Sequence, residues 1–160
     1  MCHDIAMQNG PDIESRLTAR LVDSLYVEAM VLADEVRTYF DEPGRAERDT
    51  LLPAMRVSFS CESLKVTTRL MHVIAWLLMR RAVEAGELSP VQARDPSRRL
   101  GKAQDSDPTV VAELPPTARE LINASRDLYE RVDRLDREMC ELMPMPSPAR
   151  GLVERLRQAF

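Results

Sequence analysis

Leu70-Met71-His72-Val73-Ile74-Ala75-Trp76-Leu77-Leu78-Met79 decides the fold. These ten residues are apolar on nearly every side of a helix, and they lie in a stretch, 54–85, free of proline and glycine. Leu52, Met55, Phe59, Val66, Leu70, Val73 and Leu77 form one stripe at helical spacing; Leu64, Met71, Ile74, Leu78 and Ala82 form a second. Two stripes imply burial on two sides, and hence a central helix over about 53–85 with Pro53 in its first turn and Gly86 at its end. Ten apolar residues are too few for a bilayer span, which takes about 20.

Upstream, Ile13, Leu17, Leu21, Leu25, Leu32 and Val36 share one face and predict a helix over 12–40. Asp41-Glu42-Pro43-Gly44 ends it, with Gly44 expected in a left-handed turn, so that Gly44→Val costs about 1 kcal/mol or more. Downstream, residues 86–116 have little periodicity and read as a long connection with a single turn at Pro90–Arg94. Leu121, Ser125, Leu128, Val132, Leu135, Met139 and Leu142 keep alternating steps of four and three, a heptad seam predicting a third helix over 117–142. Thr117 with Glu120 suggests its capping box. The expected architecture is all-α: an elongated three-helix bundle over 12–142, a disordered leader at 1–11 and a flexible amphipathic tail at 143–160. Prolines 144, 146 and 148 separate that tail from the bundle.

Composition narrows the chemistry. The 160 residues hold 22 Lys and Arg against 26 Asp and Glu, a net charge of -4. Five isolated glycines cannot build a phosphate-cradling loop, and 4% aromatics disfavour an all-β fold. His3 and His72 are the only histidines, without a G-x-S-x-G elbow or helical metal-ligand spacing, so no catalytic residue, cofactor or metal is expected and the chain is not read as an enzyme. His72 reads as a packed or interface-edge residue. Cys61 and Cys140 read as buried structural thiols, and with Cys2 they form no close pair, which suits a reducing cytoplasm. Arg80-Arg81 and Arg98-Arg99 make no basic stripe, so neither nucleic acid nor membrane is expected as a partner.

What remains is binding surface. Residues 1–44 carry nine acids and three bases, whereas 45–85 carry four acids and seven bases, which suits antiparallel pairing of the first two helices. The doubly apolar stretch suggests a homodimer or partner interface through Leu70, Met71, Ile74, Trp76 and Leu78, although Trp76 equally suits the intramolecular core. Leu152, Leu156 and Phe160 share one face of the tail, with Arg155 among the bases beside them. That pattern suits a tethered recognition segment.

The run Glu62–Val83, containing Thr67-Thr68-Arg69-Leu70 and Trp76-Leu77-Leu78, resembles the central helix of the alphaproteobacterial regulator-of-CtrA-degradation (RcdA) family. Tyr39-Phe40-Asp41-Glu42-Pro43-Gly44-Arg45 resembles that family's turn after its first helix, and Gly86-Glu87-Leu88 with Gln92-Ala93-Arg94 also fits. The resemblance implies a dimeric three-helix bundle without enzymatic activity, carrying a flexible C-terminal extension. It also implies a proteolytic adaptor that helps deliver cell-cycle regulators to the ClpXP protease alongside response-regulator-like co-adaptors. Such an adaptor works in the cytoplasm, where partners can bring it to a cell pole. The alternative is a small dimeric helical scaffold or transcription-associated factor of unrelated role.

Overall fold

The computed structural model describes residues 10–142 and 148–159, and among them every regular element is helical. In chain order these are α1 (Gly10–Asp41), α2 (Pro43–Asp49), α3 (Pro53–Glu84), α4 (Pro90–Ala93), a 3-10 turn (Pro96–Arg98), α5 (Pro108–Ala112), α6 (Pro116–Leu142) and α7 (Pro148–Ala159). Three long helices therefore exist where the periodicity places them. The four shorter ones make the architecture richer than a bare three-element bundle. No helix among the described residues is long and apolar enough to cross a membrane.

The core lies between α1, α3 and α6. Val22, Leu25, Ala29, Leu32 and Val36 of α1 meet Phe59, Val66, Leu70, Val73 and Leu77 of α3, and Ala118, Ile122, Leu128 and Val132 of α6 close the third side. The opposite charges of the first two helices meet at Asp23–Arg81, 3.3 Å apart, while Arg81 also lies over the Tyr26 ring at 4.5 Å.

From α2 onward a proline starts each element. Pro43 lacks the N–H that would continue α1, so the chain turns at Glu42 and restarts as α2. Gly44 is not left-handed; among the described residues Gly86 alone has a positive φ, +75°. Gly44 is needed for closeness instead: a Cβ there would fall 2.8 Å from the Tyr39 carbonyl oxygen. Gly86 ends α3 in a Schellman motif, its N–H donating to Val83 O at 3.1 Å and that of Glu87 to Ala82 O at 3.0 Å. Thr117 is not a cap, because α6 has already begun at Pro116. The capping box belongs to Ser89 and Gln92 of α4.

The long connection is a strap pinned across α3 and α6. Leu100, Ser106, Val111 and Leu114 are buried. Tyr129 Oη donates to Gly101 O at 2.8 Å and accepts from Ala103 N–H at 3.3 Å. Asp136, itself buried, accepts from the Trp76 indole at 3.0 Å, Arg99 Nε at 2.9 Å and Leu100 N–H at 3.3 Å. A Cβ on Gly101 would lie 2.7 Å from Cε1 of His72, so this glycine lets the imidazole pack flat against the strap.

Candidate functional site

Two charges of α3, Glu62 and Arg69, face inward. Arg69 is 2% exposed, and its guanidinium donates to Ser125 Oγ (3.2 Å), Gln104 O (3.1 Å) and Ser106 Oγ (2.5 Å). Ser106 Oγ in turn donates to the buried Glu62 carboxylate, which also holds Lys65 at 3.1 Å. Burial pushes the Arg69 pKa down, opposed by the charge of Glu62. Asp105 flanks the network, its carboxyl held below the usual range by the Ser106 N–H first and the Arg126 guanidinium second.

The outer face of the same helix is the reverse. Val57, Cys61, Leu64, Thr68, Met71, Ala75, Leu78 and Ala82 follow one another in steps of four and three, and none carries a charge. Val57, Leu64 and Met71 are 64, 68 and 64% exposed, and Leu78 is 46% exposed. Large side chains alternate with Cys, Thr, Ala and Ala along this seam. That alternation is how one helix accepts the ridges of another. On α1, Val27, Met30 and Val31 are exposed as well.

The residues expected at an interface divide between these two faces. Met71 and Leu78 lie on the exposed seam, and Ile74 is half-buried at its edge. Leu70 and Trp76 are each 4% exposed and belong to the core, Trp76 through its indole bond to Asp136. They are unavailable to a partner because the inner stripe of α3 packs on α1 and α6. In the tail, Leu152, Arg155 and Leu156 are exposed on α7, whereas Phe160 lies outside the described residues, as do 1–9 and 143–147.

Other expected features find different places. Cys61 and Cys140 are exposed, not buried: Cys61 falls on the outer seam, and Cys140 Sγ lies 3.4 Å from an Arg99 nitrogen. Their apolar neighbours in sequence suggest the core, but those neighbours point to other faces. His72 is half-buried, and among the described residues its Nδ1 has no hydrogen-bond partner. Among the described residues no three His, Cys, Asp or Glu side chains gather as a metal site requires. Cys2 and His3 lie outside the described residues.

This arrangement has known relatives. A family described as "Protein of unknown function (DUF1465)" matches residues 13–160. The crystal structure of RcdA from Caulobacter crescentus CB15 is similar at 36% identity and a TM-score of 0.62, over 74% of this chain and 90% of that one. The chain belongs to the RcdA family. None of the curated proteins matches it. Among the residues that carry the resemblance to the RcdA family, Arg69 and Trp76 anchor the strap, and Tyr39 and Gly44 close the α1–α2 turn. The strap network is the feature that sequence reading missed; Leu64, Met71, Leu78 and Ala82 of the seam lie in the second stripe read from the sequence, without Val57, Cys61, Thr68 and Ala75. The steps between Val57 and Ala82 were the available signal for the seam.

Proposed function

We propose that this protein is a non-enzymatic adaptor of the RcdA type, helping to deliver cell-cycle regulatory proteins to ClpXP together with response-regulator-like co-adaptors. It works as a homodimer in the cytoplasm. Membership of the family supports the class of role. The uncharged outer seam of α3 is the single observation that carries the reading, since contiguous exposed hydrocarbon marks a protein-binding surface. The amphipathic α7, with Leu152 and Leu156 exposed beside Arg155, supplies a second contact for cargo or protease.

The seam suits a second copy of the chain, because large and small residues alternate along it and no charge has to be desolvated. Met71→Glu places a carboxylate mid-seam without touching the core. Sedimentation should show a dimer for the parent chain and a monomer for the variant at equal melting temperature. The adaptor role is tested by pull-down with ClpX, with and without a cell-cycle response regulator as cargo. Cargo-dependent capture is the expected result; selective enrichment of DNA instead would transfer the protein to the transcription-associated alternative.

A further inference from the structure

At the corner where α1, α2 and α3 meet, a cavity of about 270 Å³ opens beside the seam. Phe40 and Phe59 floor it, their rings edge to face at 5.4 Å, and Leu64 of the seam forms one wall. Arg45 and Arg48 of α2 stand on its rim opposite Ser60 and Ser63, which are one turn apart on α3. No acid lines this cavity.

The hydrogen-bonding capacity around it is unspent. Glu47, the acid nearest in sequence to both arginines, is taken up by the Tyr39 hydroxyl. Among the described residues Arg45 has no ion pair, and Arg48 has only a long 3.5 Å contact with its neighbour Asp49. Neither the Ser60 nor the Ser63 hydroxyl donates or accepts a side-chain hydrogen bond among the described residues. Two arginines and two serines thus line one cavity together with an aromatic pair. A planar carboxylate satisfies the first set of groups bidentately, and a neighbouring apolar side chain covers the second.

We propose that this corner binds a peptide segment of a partner in which a carboxylate side chain stands next to an aromatic or aliphatic one. The carboxylate is held by Arg45 and Arg48, and the apolar group rests on Phe40 beside Leu64. The corner is separate from the dimer seam's centre, and the proposal does not depend on ClpXP.

The test is an NMR titration of the isotope-labelled full chain with three probes: the peptide acetyl-Leu-Asp-Phe-Asp-Leu-amide, its analogue with Lys in place of both Asp, and inorganic phosphate. The acidic peptide should shift the amides of Arg45, Arg48, Ser60 and Ser63 saturably, and high salt should weaken it. Arg45→Glu with Arg48→Glu should weaken binding by about tenfold or more. Arg45→Gln with Arg48→Gln, which adds no repulsion, should also weaken it, and in both variants amides away from the corner should keep their positions. No saturable shift, equal shifts with the Lys analogue, or unchanged affinity in both variants would each overturn the site. Phosphate alone acting as strongly as the peptide would overturn the apolar half of the recognition.

Discussion

Replacing Arg69 by methionine tests what orders the strap. The substitution keeps much of the side chain's volume but removes three hydrogen bonds, to Ser125, Gln104 and Ser106. Ser125 Oγ still donates to Ile122 O at 2.7 Å, and Ser106 Oγ still reaches Glu62, so neither hydroxyl is stranded. The Gln104 carbonyl loses its donor. Glu62, 3% exposed, loses its buried countercharge and keeps only Lys65. Breaking a direct buried charge pair from one side costs about 3–5 kcal/mol; here the two charges are bridged by Ser106 and Lys65 remains, which places this case near the lower figure. In a domain of this size that is roughly 6–12 °C in melting temperature. Adding Glu62→Gln removes the stranded charge, so the double variant should recover about 1–2 kcal/mol relative to Arg69→Met alone. Urea unfolding gives the energies, and hydrogen exchange of residues 100–107 reports whether the strap has loosened. A loss under about 1 kcal/mol with unchanged exchange would show that Tyr129 and Asp136 hold the strap unaided.

Three further outcomes follow from named contacts. Gly44→Ala should lower stability by about 1–3 kcal/mol through the clash with the Tyr39 carbonyl, read as a lower melting temperature with α-helix content retained. Asp105 has a folded pKa below its unfolded one, so its contribution is present above the usual carboxylate range and is lost as pH falls through the folded value. Asp105→Asn should therefore lower stability at neutral pH and flatten the stability-versus-pH curve from about pH 5 downward, where parent and variant converge. Deleting residues 144–160 should leave melting temperature and oligomeric state nearly unchanged while weakening capture of cargo or protease, because Leu152, Val153 and Leu156 are exposed and take no part in the core.

The long helices were legible because punctuation and period agreed. Pro53 and Gly86 bracket α3 to within a residue or two, and the heptad from Leu121 to Met139 places α6. The strap was not legible by those means, since Gln104 and Ser106 sit in a segment with no period and meet Arg69 from more than thirty residues away. Its own signals were local. Ser89-Pro90, Asp95-Pro96 and Asp107-Pro108 each set a capping side chain before a first-turn proline, and each starts a short helical turn. Cys61 and Trp76 show the remaining limit. Both sit among apolar residues in sequence, yet one is exposed and the other finds Asp136 sixty residues away.

Which apolar stripe of α3 faced inward was the question that periodicity left open. The inner stripe shares its face with Glu62 and Arg69, and an ordinary surface helix would turn those charges to water. The strap reverses that preference by bringing Gln104 and Ser106 to Arg69, and Ser106 to Glu62, so that the polar groups are satisfied in the interior. With Glu62 and Arg69 satisfied inside and Arg56, Arg81 and Glu84 off the seam, α3 keeps one face of hydrocarbon outside. Covering the exposed parts of Val57, Leu64, Met71 and Leu78 is worth roughly 4–7 kcal/mol per copy. Association itself costs about 4–15 kcal/mol in lost freedom. Two seams meeting, as proposed above, would gain about twice the per-copy figure, a magnitude comparable with that cost, so the proposed dimer is expected to be a modest and exchangeable one.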